Sequence, residues 1–169
     1  MDRQYSQIDE NFFEDADTLD VVEAVLSADT TAYERLDDEL HFAASITYCD
    51  LHGVFTVRED APSVALSLIF DLKAPRMRRG DVAALLALLN EALWLGHFEL
   101  SSEDHALSWR MVVPLIGRDT PEPAEVAGIL AAGVDACERF YPAFNFLLWA
   151  GKTPEEAAEA ALFETAGEA

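Results

Sequence analysis

The chain has 169 residues, of which 51% are hydrophobic and only 8 are glycine and 7 proline, so collagen-like, low-complexity and wholly disordered classes are excluded. A chain of this length can bury one sizeable core without cross-links, which favours a single domain. Eleven basic and 32 acidic residues give a formal charge of −21, and we expect no nucleic-acid partner because such a surface repels phosphate backbones.

Residues 1–17 are predicted to form an acidic N-terminal tail, because polar chain ends are usually poorly ordered. Met1 to Phe13 has neither the basic start nor the apolar run of a secretory signal. The two cysteines, Cys49 and Cys137, fit a reducing compartment, in which we expect both to be buried free thiols. These features predict a cytoplasmic protein whose domain spans residues 18–169.

The domain is predicted to begin with a short helix followed by strands. From Thr18, apolar residues recur at helical spacing, and the helix is expected to end near Asp29. The period then changes to two, which predicts a short strand at residues 31–36 and a longer strand region at 39–58. A single strand over that second region would be about 65 Å long, so it is expected to break at residues 45–47.

The clearest alternation of the chain follows a turn at residues 59–62 and predicts a central strand. Its apolar positions are Val64, Leu66, Leu68, Phe70 and Leu72. Helical spacing returns at Asp81, and Gly96 is expected to end that helix as a C-terminal glycine. The alternation in residues 98–100 and 107–113, on either side of a polar loop, predicts a β-hairpin.

Two helices are predicted after the hairpin. Thr120 is expected to cap the first, with Pro121 at its first position, and Pro142 should kink or end it. Charged residues interrupt its apolar stretch, so no membrane span is predicted. Thr153 and Pro154 predict the start of the last helix. Because the strands are grouped, the fold class is α+β with an antiparallel sheet.

The sequence contains no motif that identifies a catalytic, cofactor or metal site. Cys49 and His52 are close in sequence, but on a strand their side chains would point to opposite faces. His97 and Glu99 share a strand face, and a weak divalent site there is conceivable, although a solvated sheet face explains them better. We therefore predict no enzyme and no cofactor.

A basic patch precedes the second long helix. It consists of Lys73, Arg76, Arg78 and Arg79. Such a patch on an acidic protein could dock an acidic partner or an anion. The alternative, compensation of neighbouring acidic residues, is favoured because no aromatic residues are interleaved with the patch.

Aromatic residues cluster in the second half of the chain and are the predicted partner-binding residues. They are Trp94, Phe98, Phe140, Tyr141, Phe144 and Trp149. Rings at helical spacing usually belong to a core, but the rings of residues 140–149 cover more than one helix face. We therefore expect another surface to cover the remainder, either an unidentified protein partner or a second copy in a homodimer.

Several segments resemble the YbjN family in its alphaproteobacterial form, which is assigned to bacterial sensory transduction regulation. The resemblance rests on residues 93–98 (LWLGHF) and 137–144 (CERFYPAF), with Trp149 and residues 164–169, and extends over residues 18–169. It implies a fold like that of type III secretion chaperones: a curved antiparallel sheet of five to six strands, flanked by helices and commonly dimeric. It implies no catalytic residues.

Together these observations predict a non-catalytic, cytosolic, chaperone-like protein that binds another polypeptide as an accessory or regulatory protein. Either an extended peptide along the sheet or a helix in an apolar groove would suit the fold. The alternative is a small-ligand sensor or enzyme with a cleft between sheet and helices. Convergent polar groups such as His97, Glu99 and Arg110 would favour the alternative, whereas a flat apolar patch would favour the binding protein.

Overall fold

The computed structural model describes residues 16–166, with side chains up to residue 163, as four α-helices and six strands. The helices are α1 (Thr18–Ala28), α2 (Arg79–Glu91), α3 (Pro123–Leu148) and α4 (Pro154–Ala166). The strands are β1 (Tyr33–Leu36), β2 (Glu39–Ser45), β3 (Asp50–Arg58), β4 (Ser63–Lys73), β5 (His97–Leu100) and β6 (Ala106–Pro114). A 3-10 turn, Arg76–Arg78, precedes α2.

The strands form one open antiparallel sheet in the order β1-β2-β3-β4-β6-β5. This architecture confirms the α+β class, and the grouped strands explain it because consecutive strands pair as hairpins. β4 pairs with both β3 and β6 and is an interior strand, as its alternation predicts. The break after Ser45 and the hairpin between β5 and β6 are confirmed as well.

The helices cover one face of the sheet, and the core lies between them. Alternate residues of each strand face this core, and the largest fully buried side chains include Trp109, Phe55, Phe140 and Phe144. Each such ring contributes about 1.5–3 kcal/mol by leaving water. The opposite face of the sheet, called the outer face below, carries the intervening positions of the strands.

Two glycines, Gly96 and Gly133, lie against the indole of Trp109. A Cβ atom on Gly96 would lie 2.2 Å from Cζ2 of the indole, and one on Gly133 would lie 2.6 Å from Cζ3. Gly96 also has a φ of +65°, which favours glycine. The turn after α2 and the middle of α3 therefore approach the same ring from two elements.

The turn between β2 and β3 is fastened to α3. The backbone N–H of Thr47 donates to Oε2 of Glu138 over 2.7 Å. Next to it, the rings of Tyr48 and Tyr141 stack with centroids 5.1 Å apart and planes 8° apart. These contacts join the first half of the sheet to a helix some ninety residues later.

Two of the helix starts agree with the sequence. α1 begins with a capping box between Asp17 and Asp20. Thr153 and Glu156 form the reciprocal pair at the start of α4, with bonds of 3.0 and 3.2 Å between backbone N–H groups and side-chain oxygens.

Two predicted helix boundaries are wrong. α2 ends with Ala92 as its cap rather than at Gly96, which lies in the turn that leads to β5. α3 does not use Thr120 and Pro121, because Glu122 and Glu125 supply a capping box later in the chain.

Pro142 does not end α3, which continues to Leu148. A proline inside a helix costs about 3 kcal/mol, and the helix on both sides of it is anchored in the core by the fully buried rings of Phe140 and Phe144. That burial offsets the cost.

The predicted tail, residues 1–17, lies outside the described residues except for its last two positions. Within residues 16–166, every helix falls short of the length or hydrophobicity needed to cross a bilayer.

Candidate binding surfaces

The six predicted partner-binding residues differ in exposure: three are buried, two are exposed and one is half-buried. Phe98, Phe140 and Phe144 are at most 2% exposed, whereas Trp94 is 100% and Trp149 is 77% exposed. Tyr141, which stacks on the β2–β3 turn, is half-buried. The first three rings belong to the core of this protomer and leave no surface for a partner. Partner binding by the two exposed tryptophans stays a prediction.

The buried rings pack against one another where α3 meets the sheet. The ring of Phe98 lies edge-on to Phe140 and Phe144, with centroids 5.9 and 5.5 Å away. Phe70 of β4 contacts Phe144 at 5.5 Å. The expectation that these rings exceed what one subunit can bury is therefore wrong for Phe98, Phe140 and Phe144, because they pack against one another and against Phe70 of β4.

Trp94 lies on the turn between α2 and β5, and its neighbours hold this turn in place. The side-chain amide of Asn90 donates to the carbonyl of Phe98 over 3.0 Å and accepts the N–H of Phe98 over 2.7 Å. Gly96 rests against the indole of Trp109, as described above. Leu95 is also 51% exposed. A large apolar surface is thus presented to solvent on a well-anchored turn.

A cavity of about 200 Å³ lies beside Trp94. Its other wall is part of α3 and includes Asp135, Ala136 and Arg139. The guanidinium of Arg139 lies 4.9 Å from the centroid of the Phe140 ring. Its Nε atom is buried and has no hydrogen-bond partner among the described residues. The cavity therefore has apolar residues of the turn on one side and two charged side chains of α3 on the other.

We call Trp94, Leu95 and this cavity the Trp94 surface. Sequence reasoning selected Trp94 but missed Leu95 and Arg139, since their contribution depends on how the turn meets α3. The neighbouring positions of Arg139 and Phe140 in the sequence do not predict that a cavity forms beside them.

A second cavity, of about 690 Å³, lies beside β1 to β4. His41 and His52 line it, with Nδ1 of His41 3.0 Å from Nε2 of His52, and Nε2 of His41 lies 3.1 Å from Oε2 of Glu39. The register places both histidines on the outer face. The cavity is therefore not the predicted cleft between sheet and helices.

His97, Glu99 and Arg110, the polar groups predicted for a small-ligand cleft, lie close together on the outer face of the sheet. His97 lies opposite Arg110 in the register, and Nε2 of His97 is 3.6 Å from Oε2 of Glu99. They face away from the helices, so they do not form the predicted cleft. Among the described residues, no three His, Cys, Asp or Glu side chains are placed to hold a metal ion.

The two thiols lack the activation that a catalytic cysteine requires. Burial raises the pKa of Cys137 well above its usual range and also raises the pKa of Cys49. Both are free cysteines, but the expectation that both are buried is wrong for Cys49, which is half-buried just before β3 whereas Cys137 is buried. Since the thiolate is the nucleophilic form, both shifts disfavour it.

The basic patch is only partly compensated. Nζ of Lys73 lies 3.3 Å from Oδ2 of Asp104, and Nε of Arg78 donates to Oδ2 of Asp81 over 2.8 Å. Arg76 and Arg79 instead line a surface groove of about 420 Å³. Compensation therefore explains half of the patch.

Comparison with known proteins identifies similar sequences and structures. The family model of YbjN, described as "Putative bacterial sensory transduction regulator", matches residues 18–146. A crystal structure of YbjN from E. coli, described as "a putative transcription regulator", superposes with a TM-score of 0.52 at 10% identity. That match covers 71% of this chain and 85% of the other, and at this identity it shows the fold alone. The search of curated proteins finds no match.

Proposed function

The chain belongs to the YbjN family, and from this membership we propose that it is a non-catalytic regulator that acts in the cytosol by binding another protein at the Trp94 surface. One observation carries the proposal: Trp94 is 100% exposed on a turn held by Asn90 and Gly96. The family's link to sensory transduction supplies the regulatory context.

The free energy available at this surface is substantial. Burying an indole removes about 150–250 Å² from water, worth roughly 4–6 kcal/mol before the costs of ordering a partner. Because the Asn90 bonds and the Gly96 contact already order the turn, little conformational entropy remains to be lost there on binding. Tryptophan and arginine are also the side chains that most often dominate binding energies at protein interfaces.

The Trp94 surface suits a side-chain contact better than strand addition. Both edge strands, β1 and β5, have only four residues, so an added peptide would find few backbone groups to pair with. We therefore propose a partner segment, helical or otherwise preformed, that sets an apolar side chain against Trp94 and Leu95. The cavity beside Trp94, which Asp135 and Arg139 also line, would take part of that side chain.

The partner we propose is a different protein with basic residues around its apolar contact. A charge of −21 attracts a positively charged surface to this protein. A chaperone-like action, in which the protein holds a segment of a client, is one form of this activity.

The test compares proteins captured from the source cells by the tagged protein and by two variants. Trp94→Ala should reduce the amount of the specifically captured protein about tenfold or more, whereas Ile116→Ala should leave that amount unchanged. Ile116 is the matched control because it is 83% exposed and lies elsewhere, after β6. Equal capture by both variants would exclude the Trp94 surface as the binding site.

Self-association is a separate proposal that rests on further exposed rings. Trp149 is 77% exposed and Phe163 is 74% exposed, and pairing would cover them. We expect a dimer by light scattering at micromolar concentration and a smaller dimer fraction for Trp149→Ala. A monomer at that concentration would overturn this proposal without affecting the first.

A further inference from the structure

The basic patch contains two arginines, Arg76 and Arg79, whose charges are not paired with a carboxylate within the described residues. Lys73 and Arg78 have carboxylate partners, and a guanidinium nitrogen of Arg78 also lies 3.5 Å from the carbonyl of Lys152. Neither Arg76 nor Arg79 forms an ion pair with any residue that the structure describes. Arg76 and Arg79 are three positions apart in the chain and line the same groove, so their two unpaired charges lie close together.

The two arginines meet polar groups of another element in the surface groove of about 420 Å³. Ser102, Glu103 and His105, from the loop between β5 and β6, line its other side. The one carboxylate against two guanidinium groups leaves the groove with a net positive charge. Nδ1 of His105 is buried and has no hydrogen-bond partner among the described residues.

The position of Arg79 adds to the positive potential. Arg79 is the first residue of α2, and the side chain of the N-cap residue, Arg78, makes no capping hydrogen bond. The N-terminal turn of a helix carries a partial positive charge, which stabilises anions in front of it. Two guanidinium groups therefore favour negative charge in this groove, and the start of α2 lies next to them in the chain.

We infer that this groove is a binding site for a small phosphate-type dianion, with Arg76 and Arg79 as its principal ligands. Guanidinium groups match phosphate oxygens in pairs, and the Ser102 hydroxyl, which lines the same groove, can donate to the same group. The ligand is small because the charge of −21 repels an extended polyanion. Inorganic phosphate and a small phosphomonoester share this chemistry.

The anion groove is independent of the proposed protein-binding function. It lies at the N-terminal end of α2, whereas the Trp94 surface follows the C-terminal end of that 13-residue helix, about 20 Å away along its axis. Failure of one site therefore leaves the other untouched.

The experiment titrates the full chain with inorganic phosphate and, separately, with glycerol 2-phosphate, following backbone amide shifts by NMR at constant ionic strength. Saturable shifts at residues 76–80 and 101–105 are expected. The more tightly bound probe identifies free phosphate or a phosphomonoester as the source of the ligand. Arg76→Gln and Arg79→Gln should each weaken binding about tenfold.

Arg58→Gln is the matched control, because it removes one positive charge beyond the opposite end of β4. It should leave binding within twofold of the wild type. Shifts that fail to saturate, or that respond equally to all three substitutions, would overturn the inference and indicate only general attraction of anions. Unfolding curves of the three variants establish that each is folded.

Discussion

The indole of Trp109 occupies the space in which any residue other than glycine at position 96 would place its Cβ atom, 2.2 Å from Cζ2. Gly133 of α3 approaches the same ring from another element, with a corresponding distance of 2.6 Å to Cζ3. The orientation of the turn that carries Trp94 therefore depends on two glycines and one buried ring.

Gly96→Ala should lower the free energy of unfolding by about 2–4 kcal/mol. The substitution adds the strain of a positive φ to the displacement of a fully buried ring. Gly117→Ala is the matched control, because Gly117 has a φ of +72° but nothing within 4 Å of its Cβ position. We expect it to cost only about 1 kcal/mol. Equal losses in urea unfolding would show that the ring does not constrain the turn.

Alanine substitutions at two glycines of α3 should change the free energy of unfolding in opposite directions. Gly133→Ala places a methyl group 2.6 Å from Trp109 and 2.8 Å from Leu68, and we expect a net loss of about 1–2 kcal/mol. Gly128→Ala meets nothing within 4 Å and should gain up to about 1 kcal/mol from helix propensity. Thermal unfolding of both variants checks the difference, and a stabilised Gly133→Ala would contradict the packing.

Arg35 of β1 ties the edge of the sheet to α1. Its Nη1 atom lies 2.8 Å from Oδ1 of Asp20 and 3.3 Å from Oε1 of Glu23. The hydrogen bonds that Arg35 donates, chiefly to Asp20, raise the pKa of its guanidinium far above the usual range. Arg35→Gln should cost about 1 kcal/mol at low salt and less at high salt, since the network is partly exposed.

The control for this prediction is Arg58→Gln. Arg58 forms a single pair with Asp60, and both side chains are mostly exposed, so we expect no measurable change in stability. A salt-independent loss at Arg35 would show that packing of its side chain, rather than its charge, holds β1.

The pKa of Asp104 should be unusually low for an exposed carboxylate. A hydrogen bond from Ser101, then one from the Ala106 N–H, and the nearby Lys73 ammonium lower its pKa from 3.8 to about 2. Because this pKa is lower in the folded state, the ionised form stabilises the β5–β6 loop above pH 3.8, and that stabilisation is lost as the pH falls through about 2.

An NMR titration of the side-chain carboxyl group measures this pKa directly. Ser101→Ala should raise the pKa of Asp104 toward 3.8, since it removes the largest cause of the shift. Ser102→Ala, one residue further along the loop, should leave it unchanged. The same midpoint in wild type and Ser101→Ala would refute the assignment.

Substitution of Phe144 should lower the stability of the fold, whereas substitution of Trp94 should leave it almost unchanged. Phe144 is fully buried, and Phe144→Ala should cost about 3–5 kcal/mol. Trp94 is fully exposed, so Trp94→Ala should change stability by less than about 0.5 kcal/mol. Urea midpoints of the two variants provide the measurement. A large loss for Trp94→Ala would place that ring against the body of the protein.

The strands could be predicted from the sequence because burial on one face imposes a period of two, as from Val64 to Leu72. Helix ends were harder to predict. Gly96 follows an apolar run, as a terminating glycine does, yet its lack of a side chain serves contact with Trp109, which comes from a distant strand. Such a requirement is visible only once the sheet and α2 are placed together.

The candidate site could be predicted only in part. Six aromatic residues were selected by spacing, but spacing does not distinguish Phe140, which packs under the sheet, from Trp94, which stands on a turn. The anion groove joins Arg76 and Arg79 to Ser102 and His105. These positions are more than twenty residues apart, so the compensation of neighbouring acids seemed sufficient from sequence alone.

The bond between Thr47 and Glu138 bears on the order of events during synthesis. The β2–β3 turn leaves the ribosome about ninety residues before its acceptor does, and such distant contacts slow folding because a long loop must close first. Until α3 has been translated, the part of the sheet that α3 covers, on β4 and β6, stays exposed. In that interval the protein would itself be a client for general chaperones.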